Sequence, residues 1–151
     1  MGVPHDSDLG HKIAVVDEEE LANLYAEALD ASGFKVTSYS DSIAALVEVS
    51  KNHLQYALVI SDNRMPGLNG IELISQIHER DSKIQFIVIS GFGYISDTDL
   101  DYTYLQKPIK ISLLPDTVNT IFGDRKKICS AISNARKIKS VVEKSKRKSV
   151  N

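Results

Sequence analysis

The stretch Tyr56-Ala57-Leu58-Val59-Ile60-Ser61-Asp62, followed at once by Asn63-Arg64-Met65-Pro66-Gly67, decides the fold of this chain. A short apolar run rich in branched side chains reads as a strand buried on both faces. It ends in a single carboxylate, and Pro66 and Gly67 then turn the backbone away. Two further segments share this design. Lys12-Ile13-Ala14-Val15-Val16 ends in Asp17-Glu18, and a later segment, Tyr104-Leu105-Gln106, ends in Lys107-Pro108. If the strands are parallel, an acidic pair, a lone Asp and a Lys converge on one edge of the sheet, where open α/β sheets carry their chemistry.

The intervening segments fit that arrangement. Leu21, Leu24, Tyr25, Ala28 and Leu29 recur at helical spacing after Asp17, and Gly33 is placed to stop the helix. Phe34 to Tyr39 predicts a second strand. Asp41 is an N-cap for a second helix whose expected inner face is Ile43, Leu46, Val47 and Ser50. Ile71, Ile74, Ile77 and His78 mark a third helix, Lys83 to Ile89 a fourth strand, Tyr102 to Leu105 a short fifth strand, and Ile111 to Phe122 the last helix. Strands alternating with helices predict an α/β fold, a doubly wound five-stranded parallel sheet with right-handed crossovers. No internal repeat is visible.

Composition places bounds on function. A length of 151 residues allows one domain with a real core. One cysteine, Cys129, cannot form an intramolecular disulfide, so a reducing cytoplasm is expected. No apolar stretch approaches the roughly 20 residues of a membrane span, and the N-terminus has no signal-peptide core. His5, His11, His53 and His78 have no metal-ligand spacing. Residues 1–123 hold 8 Lys/Arg against 18 Asp/Glu, whereas residues 124–151 hold 10 against 2. The expected organisation is therefore a flexible leader at 1–10, an acidic domain at 11–123 and a basic tail at 124–151.

Asp17, Glu18 and Asp62 brought together would repel, by about 4 kcal/mol per pair at ~4 Å and an effective dielectric of 20. Such a cluster needs a raised pKa or a cation. Oxygen ligands on rigid strand ends suit Mg²⁺. Lys107 adds a fixed positive charge, and Ser90, at the end of the fourth strand, adds a hydroxyl donor beside the open space of Gly91. A metal, a lysine and a hydroxyl around one carboxylate match the needs of phosphoryl transfer, with Asp62 as nucleophile. Arg64 stands where an aspartate-based phosphatase would carry a second Asp. No phosphate-cradling loop follows the first strand, which disfavours a flavin mononucleotide site.

These residues give the chain a resemblance to the receiver domains of two-component response regulators, over about residues 11–122. The motifs are Ile13-Ala14-Val15-Val16-Asp17-Glu18; Ser61-Asp62-Asn63-Arg64-Met65-Pro66-Gly67 with Asn69-Gly70; Ile87-Val88-Ile89-Ser90-Gly91; and Tyr104-Leu105-Gln106-Lys107-Pro108. The resemblance implies a flavodoxin-like fold with Asp62 as phospho-acceptor and a histidine kinase or phosphotransfer protein as donor. It implies Mg²⁺ held by Asp17, Asp62 and the main-chain carbonyl of Arg64, with Glu18 in the acidic pair. Lys107 would pair with the phosphate, Ser90 would be the switch hydroxyl, Tyr104 the aromatic that turns inward, and Lys107-Pro108 a cis bond. Arg64 and Phe92 would flank the path of the hydrolytic water, which a bulky Phe92 hinders.

The chain departs from the family pattern in two places. Ser90 and Lys107 are 17 positions apart, too few for a full helix and a strand, so the fourth helix is expected to be shortened or missing. The tail has no place in a receiver core. Ile128, Ala131, Ala135, Ile138 and Val142 give it the pattern of a basic amphipathic helix that frays after Lys144. Several readings of it stand: a solvated extension, a contact for nucleic-acid phosphates, or a contact for a downstream protein, a second copy or the acidic domain itself. The overall expectation is a phosphorylation-controlled switch, not a turnover enzyme. The alternatives are a phosphorylation-independent interaction module and a nucleic-acid-associated regulator acting through the tail.

Overall fold

The structure, a computed structural model, describes residues 10–91 and 98–134, with side chains up to Gly123. Residues 1–9 of the leader, Phe92, Asp97 and the tail beyond Asn134 lie outside the described residues. The elements are β1 (Lys12–Val16), α1 (Glu19–Ala31), β2 (Val36–Tyr39), α2 (Ser42–Lys51), β3 (Tyr56–Asp62), α3 (Gly70–Arg80), β4 (Gln85–Ser90), β5 (Thr103–Gln106) and α4 (Leu113–Asn134), with a 3-10 turn at His53–Gln55. All five strands are parallel, in the order β2-β1-β3-β4-β5. Among the described residues no helix lies between β4 and β5, as the short interval from Ser90 to Lys107 predicts.

The alternation of side chains along each strand builds two cores, one on each face. Ile13, Val15, Leu58, Ile60, Ile87 and Ile89 face α1 and α4, where they meet Ala22, Leu29, Leu114 and Val118. Ala14, Val16, Val59, Phe86 and Val88 face α2 and α3, where they meet Ala45, Val49, Leu73, Ile74 and Ile77. This two-sided burial explains why β1, β3 and β4 read as unbroken apolar runs. Each fully buried Ile or Leu contributes about 1.5–3 kcal/mol of transfer free energy.

Helix ends follow local chemistry. Asp41 accepts hydrogen bonds from the amides of Ile43 and Ala44, capping α2. Asn69 and Glu72 form a reciprocal capping box at the start of α3. Gly33, with φ +93°, ends the α1 turn as expected.

Three expectations are corrected. The inner face of α2 is Ser42, Ala45 and Val49, while Ile43 and Val47 are 52% and 61% exposed. The cause is tertiary: the Ser42 hydroxyl donates to the Pro66 carbonyl and accepts from the Leu68 amide, which turns Ser42 inward and rotates α2. Leu24 of α1, expected inside, is 43% exposed. The last helix does not stop at Phe122 but runs without interruption to Asn134.

His53 and Asp81 form a pair that periodicity did not foreshadow. Nδ1 lies 2.8 Å from Asp81 Oδ2, tying the turn after α2 to the end of α3. Burial works to raise the Asp81 pKa, but the bond to His53 and the amide of Lys83 outweigh it, and the carboxyl is held below its usual value. A depressed folded pKa gives stability that is present above the unfolded value and lost as pH falls through the folded one. Asp81→Asn is therefore expected to flatten the loss of stability below pH ~4, measured by denaturant melts across that range.

Candidate functional site

Strand register assembles the site. Val16 pairs with Ser61, Asp62 with Ile89, and Ser90 with Gln106. The residues at or just beyond these pairs, Asp17, Asp62, Ser90 and Lys107, therefore line up on the C-terminal edge of the sheet. Lys107 Nζ lies 3.2 Å from Asp17 Oδ2 and 3.4 Å from Asp62 Oδ1, so one ammonium bridges both carboxylates. The Lys107 amide donates to the Ser90 carbonyl at 3.0 Å, fixing β5 against β4 where the lysine leaves the sheet. The Lys107-Pro108 bond is cis.

Asp17 is 2% exposed. Its Oδ1 accepts from the Glu18 amide at 2.7 Å, whereas the buried Oδ2 receives no hydrogen bond of good geometry despite the nearby ammonium. Burial raises the Asp17 pKa most. The Glu18 amide opposes this, the Asp62 charge adds to it, and Lys107 only partly offsets the sum. Lys107 loses hydration by burial, but the charges of Asp17 and Asp62 outweigh that loss and raise its pKa. The ion pair therefore stabilises the lysine's charge more fully than that of Asp17.

The other expected residues divide. Glu18 is exposed at the N-cap of α1, and its side chain makes no capping bond. Among the described residues no group of three acids, histidines or cysteines is arranged to hold a metal. The convergent carboxylates are two, Asp17 and Asp62. Arg64 is exposed in the loop after Asp62. Ser90 is buried. Tyr104 is half-buried against the α2–α3 core, and its hydroxyl donates to the Ser90 carbonyl at 3.3 Å.

Sequence reasoning missed residues that shape the acceptor loop. Asn63 accepts from the Gly70 amide through its carbonyl and from the Ile71 amide through its side chain, closing the loop onto α3. A Cβ at Gly70 would lie 2.5 Å from the Asp62 carbonyl oxygen. The only signal for this in the sequence was the Asn69-Gly70 pair. Tyr25, buried on α1, shares with Lys107 and Pro108 an apolar groove of about 500 Å³.

The family model for the response regulator receiver domain matches residues 13–119. The chain belongs to the response regulator receiver family. It is 28% identical over 110 residues to the response regulator receiver protein CpdR of Brucella abortus, covering 70% of this chain and 88% of that protein. It is 32% identical over 114 residues to the C4-dicarboxylate transport transcriptional regulatory protein DctD of Pseudomonas aeruginosa, covering 70% of this chain but 24% of DctD. The chain spans between about a quarter and a half of the transcriptional regulators DctD, FixJ and YkoG. Among solved structures, a receiver domain protein from Clostridium thermocellum aligns with a TM-score of 0.70 and 25% identity, covering 78% of this chain and 98% of that one. The receiver domain of the hybrid histidine kinase CckA aligns with a TM-score of 0.64 and 29% identity, covering 72% and 96%. This receiver is thus a module of two-component signalling. Among its described residues no helix is long and apolar enough to cross a membrane.

Proposed function

We propose that this receiver is a cytoplasmic phospho-accepting switch, with Asp62 taking a phosphoryl group from a histidine kinase or phosphotransfer protein. The observation that carries this reading is the single ammonium of Lys107 held within 3.4 Å of both Asp17 and Asp62. In the transfer, an Asp62 carboxylate oxygen bonds to phosphorus as the phosphorus–nitrogen bond of the donor histidine breaks, and the electron pair returns to the imidazole. Lys107 can leave Asp62 for the new phosphate oxygens without leaving the site. Ser90 can offer its hydroxyl to the same group, and Tyr104, bonded to the Ser90 carbonyl, is the route to a downstream protein. The protein is consumed and reset, so it is a switch and not a turnover enzyme.

The residues present fit a divalent cation. Asp17 Oδ2 is buried without a hydrogen bond, and Asp62 stands beside it. Two carboxylates and the Arg64 carbonyl, completed by water, suit Mg²⁺. Bound there, Mg²⁺ would neutralise the charge that develops on the transferring phosphoryl oxygens.

The test is intact-protein mass after incubation with a small phosphodonor. A gain of one phosphoryl group that requires Mg²⁺ and is absent in Asp62→Asn is expected. No gain in the wild type, under conditions that label another receiver, would instead favour a phosphorylation-independent module.

A further inference from the structure

We propose that residues 3–9, which precede β1, run along an exposed apolar stripe on α2 and cover it. Among the described residues five large apolar side chains are exposed, and three of them, Ile43, Val47 and Leu54, belong to this one stretch. Ile43 and Val47 lie one helical turn apart on α2, and Leu54 follows in the 3-10 turn just past its end. The hydrogen bonds of Ser42 created this stripe: they turned Ser42, Ala45 and Val49 inward and left Ile43 and Val47 outside. From Ile43 to Leu54 the stripe spans about 16 Å at 1.5 Å per residue.

The chain enters the domain beside this stripe. Gly10 is buried with φ +63°, and a Cβ there would lie 2.5 Å from the Leu54 carbonyl oxygen and 3.1 Å from the Tyr56 amide nitrogen. Backbone therefore meets backbone at the turn that carries Leu54, where a side chain would not fit. The residues before Gly10 match the stripe in order. Counting back from Gly10 come Leu9, then Asp8 and Asp6, then Pro4 and Val3. Counting back along the surface come Leu54, the exposed Lys51, then Val47 and Ile43. An apolar residue, acids and an apolar pair thus face an apolar residue, a base and an apolar pair. Extended, the chain from Val3 to Leu9 reaches about 20 Å, enough to span the stripe. At its far end the stripe touches the acceptor loop, since a Cβ at Gly67 would meet Ile43 Cδ1 at 3.4 Å. The covering segment therefore closes the outer side of the loop that leaves Asp62. A second copy is the weaker occupant. Three side chains present on the order of 300 Å² of apolar surface, whereas a stable interface buries about 800 Å² on each partner.

The test is a cycle of thermal melts on the full chain: wild type, Val3→Ser/Leu9→Ser, Val47→Ser/Leu54→Ser and the four substitutions combined. Each pair alone should lower the melting temperature by about 3–6 °C. The combined variant should melt within about 1 °C of the less stable pair, because the two sides of one contact are lost only once. The cycle cancels the intrinsic preference of serine in α2 and in the turn. Sedimentation equilibrium of the same four proteins separates the other occupant, and the stripe variant is expected to leave the state of association unchanged. Additive melts, or a Val3→Ser/Leu9→Ser chain that melts like the wild type, would overturn the inference. So would a dimer that Val47→Ser/Leu54→Ser disperses and Val3→Ser/Leu9→Ser leaves intact, which would assign the stripe to a second copy.

Discussion

An Asp17→Asn chain is expected to melt at a higher temperature than the wild type at neutral pH in the presence of a chelator, and to lose the stabilisation that Mg²⁺ confers. The Asp17 carboxylate is almost wholly removed from water, one of its oxygens has no hydrogen bond, and Asp62 faces it across the site. Its raised pKa means that ionisation costs stability in the folded state. The sign follows directly: the cost is complete above the folded pKa and disappears as pH falls through that value toward the unfolded one. Asparagine keeps the shape and removes the charge. Lys107 loses one partner but retains Asp62 at 3.4 Å. The gain should be on the order of 1 kcal/mol, because asparagine removes the desolvated charge and its repulsion by Asp62 but still buries a polar group and gives up the pair with Lys107. The difference between variant and wild type should shrink as the solution is acidified. Phosphoryl uptake with Mg²⁺ should fall by at least about tenfold, because one of two charged cation ligands is gone. Thermal melts with chelator and with Mg²⁺ provide the check. A variant less stable than the wild type in chelator would mean that the pair with Lys107 outweighs the desolvation of Asp17.

Gly70→Ala is expected to destabilise the fold and to impair Asp62 together. In an open helix position the added methyl would help by up to about 1 kcal/mol. At Gly70 it meets backbone, with the Asp62 carbonyl oxygen at 2.5 Å and the Asn63 Cα at 2.9 Å. Neither atom can move aside as the end of a side chain could. Relief requires α3 to retreat from the acceptor loop, which breaks the 2.9 Å bond from the Gly70 amide to the Asn63 carbonyl. A loss of about 2–3 kcal/mol is expected, with slower phosphoryl uptake because the same backbone carries the Asp62 side chain. Gly91→Ala is the internal comparison. It also borders a site residue, but among the described residues a Cβ there meets nothing within 4 Å, so its melt should stay within about 0.5 kcal/mol of the wild type. Equal melts for the two variants would refute the argument from close approach.

Several elements were legible without coordinates because they depend on local pattern. The unbroken runs of β1, β3 and β4 record burial on both faces, and the order of strands and helices leaves few alternatives to a parallel sheet. Parallel register then brings Asp17, Asp62, Ser90 and Lys107 to one edge, since each ends its strand. The short interval after Ser90 likewise pointed, by length alone, to a shortened or missing fourth helix, and among the described residues no helix lies between β4 and β5.

Other features depend on contacts between segments distant in sequence. α2 carries two overlapping stripes, and the choice of Ser42, Ala45 and Val49 over Ile43 and Val47 was made by hydrogen bonds from Ser42 to the loop at Pro66 and Leu68. Asp17 and Glu18 are adjacent acids, yet one is buried against Lys107 and the other exposed, because Asp17 directly follows β1 at the sheet edge whereas Glu18 is already the N-cap of α1. The change of charge at residue 124 marked a boundary in composition, but the backbone hydrogen-bond ladder carried α4 through it to Asn134. The sequence by itself determined which residues stand at the sheet edge, since period and order are local properties. Only the tertiary structure decided which of them meet, because a meeting depends on register, helix phase and the close approach of α3 at Gly70.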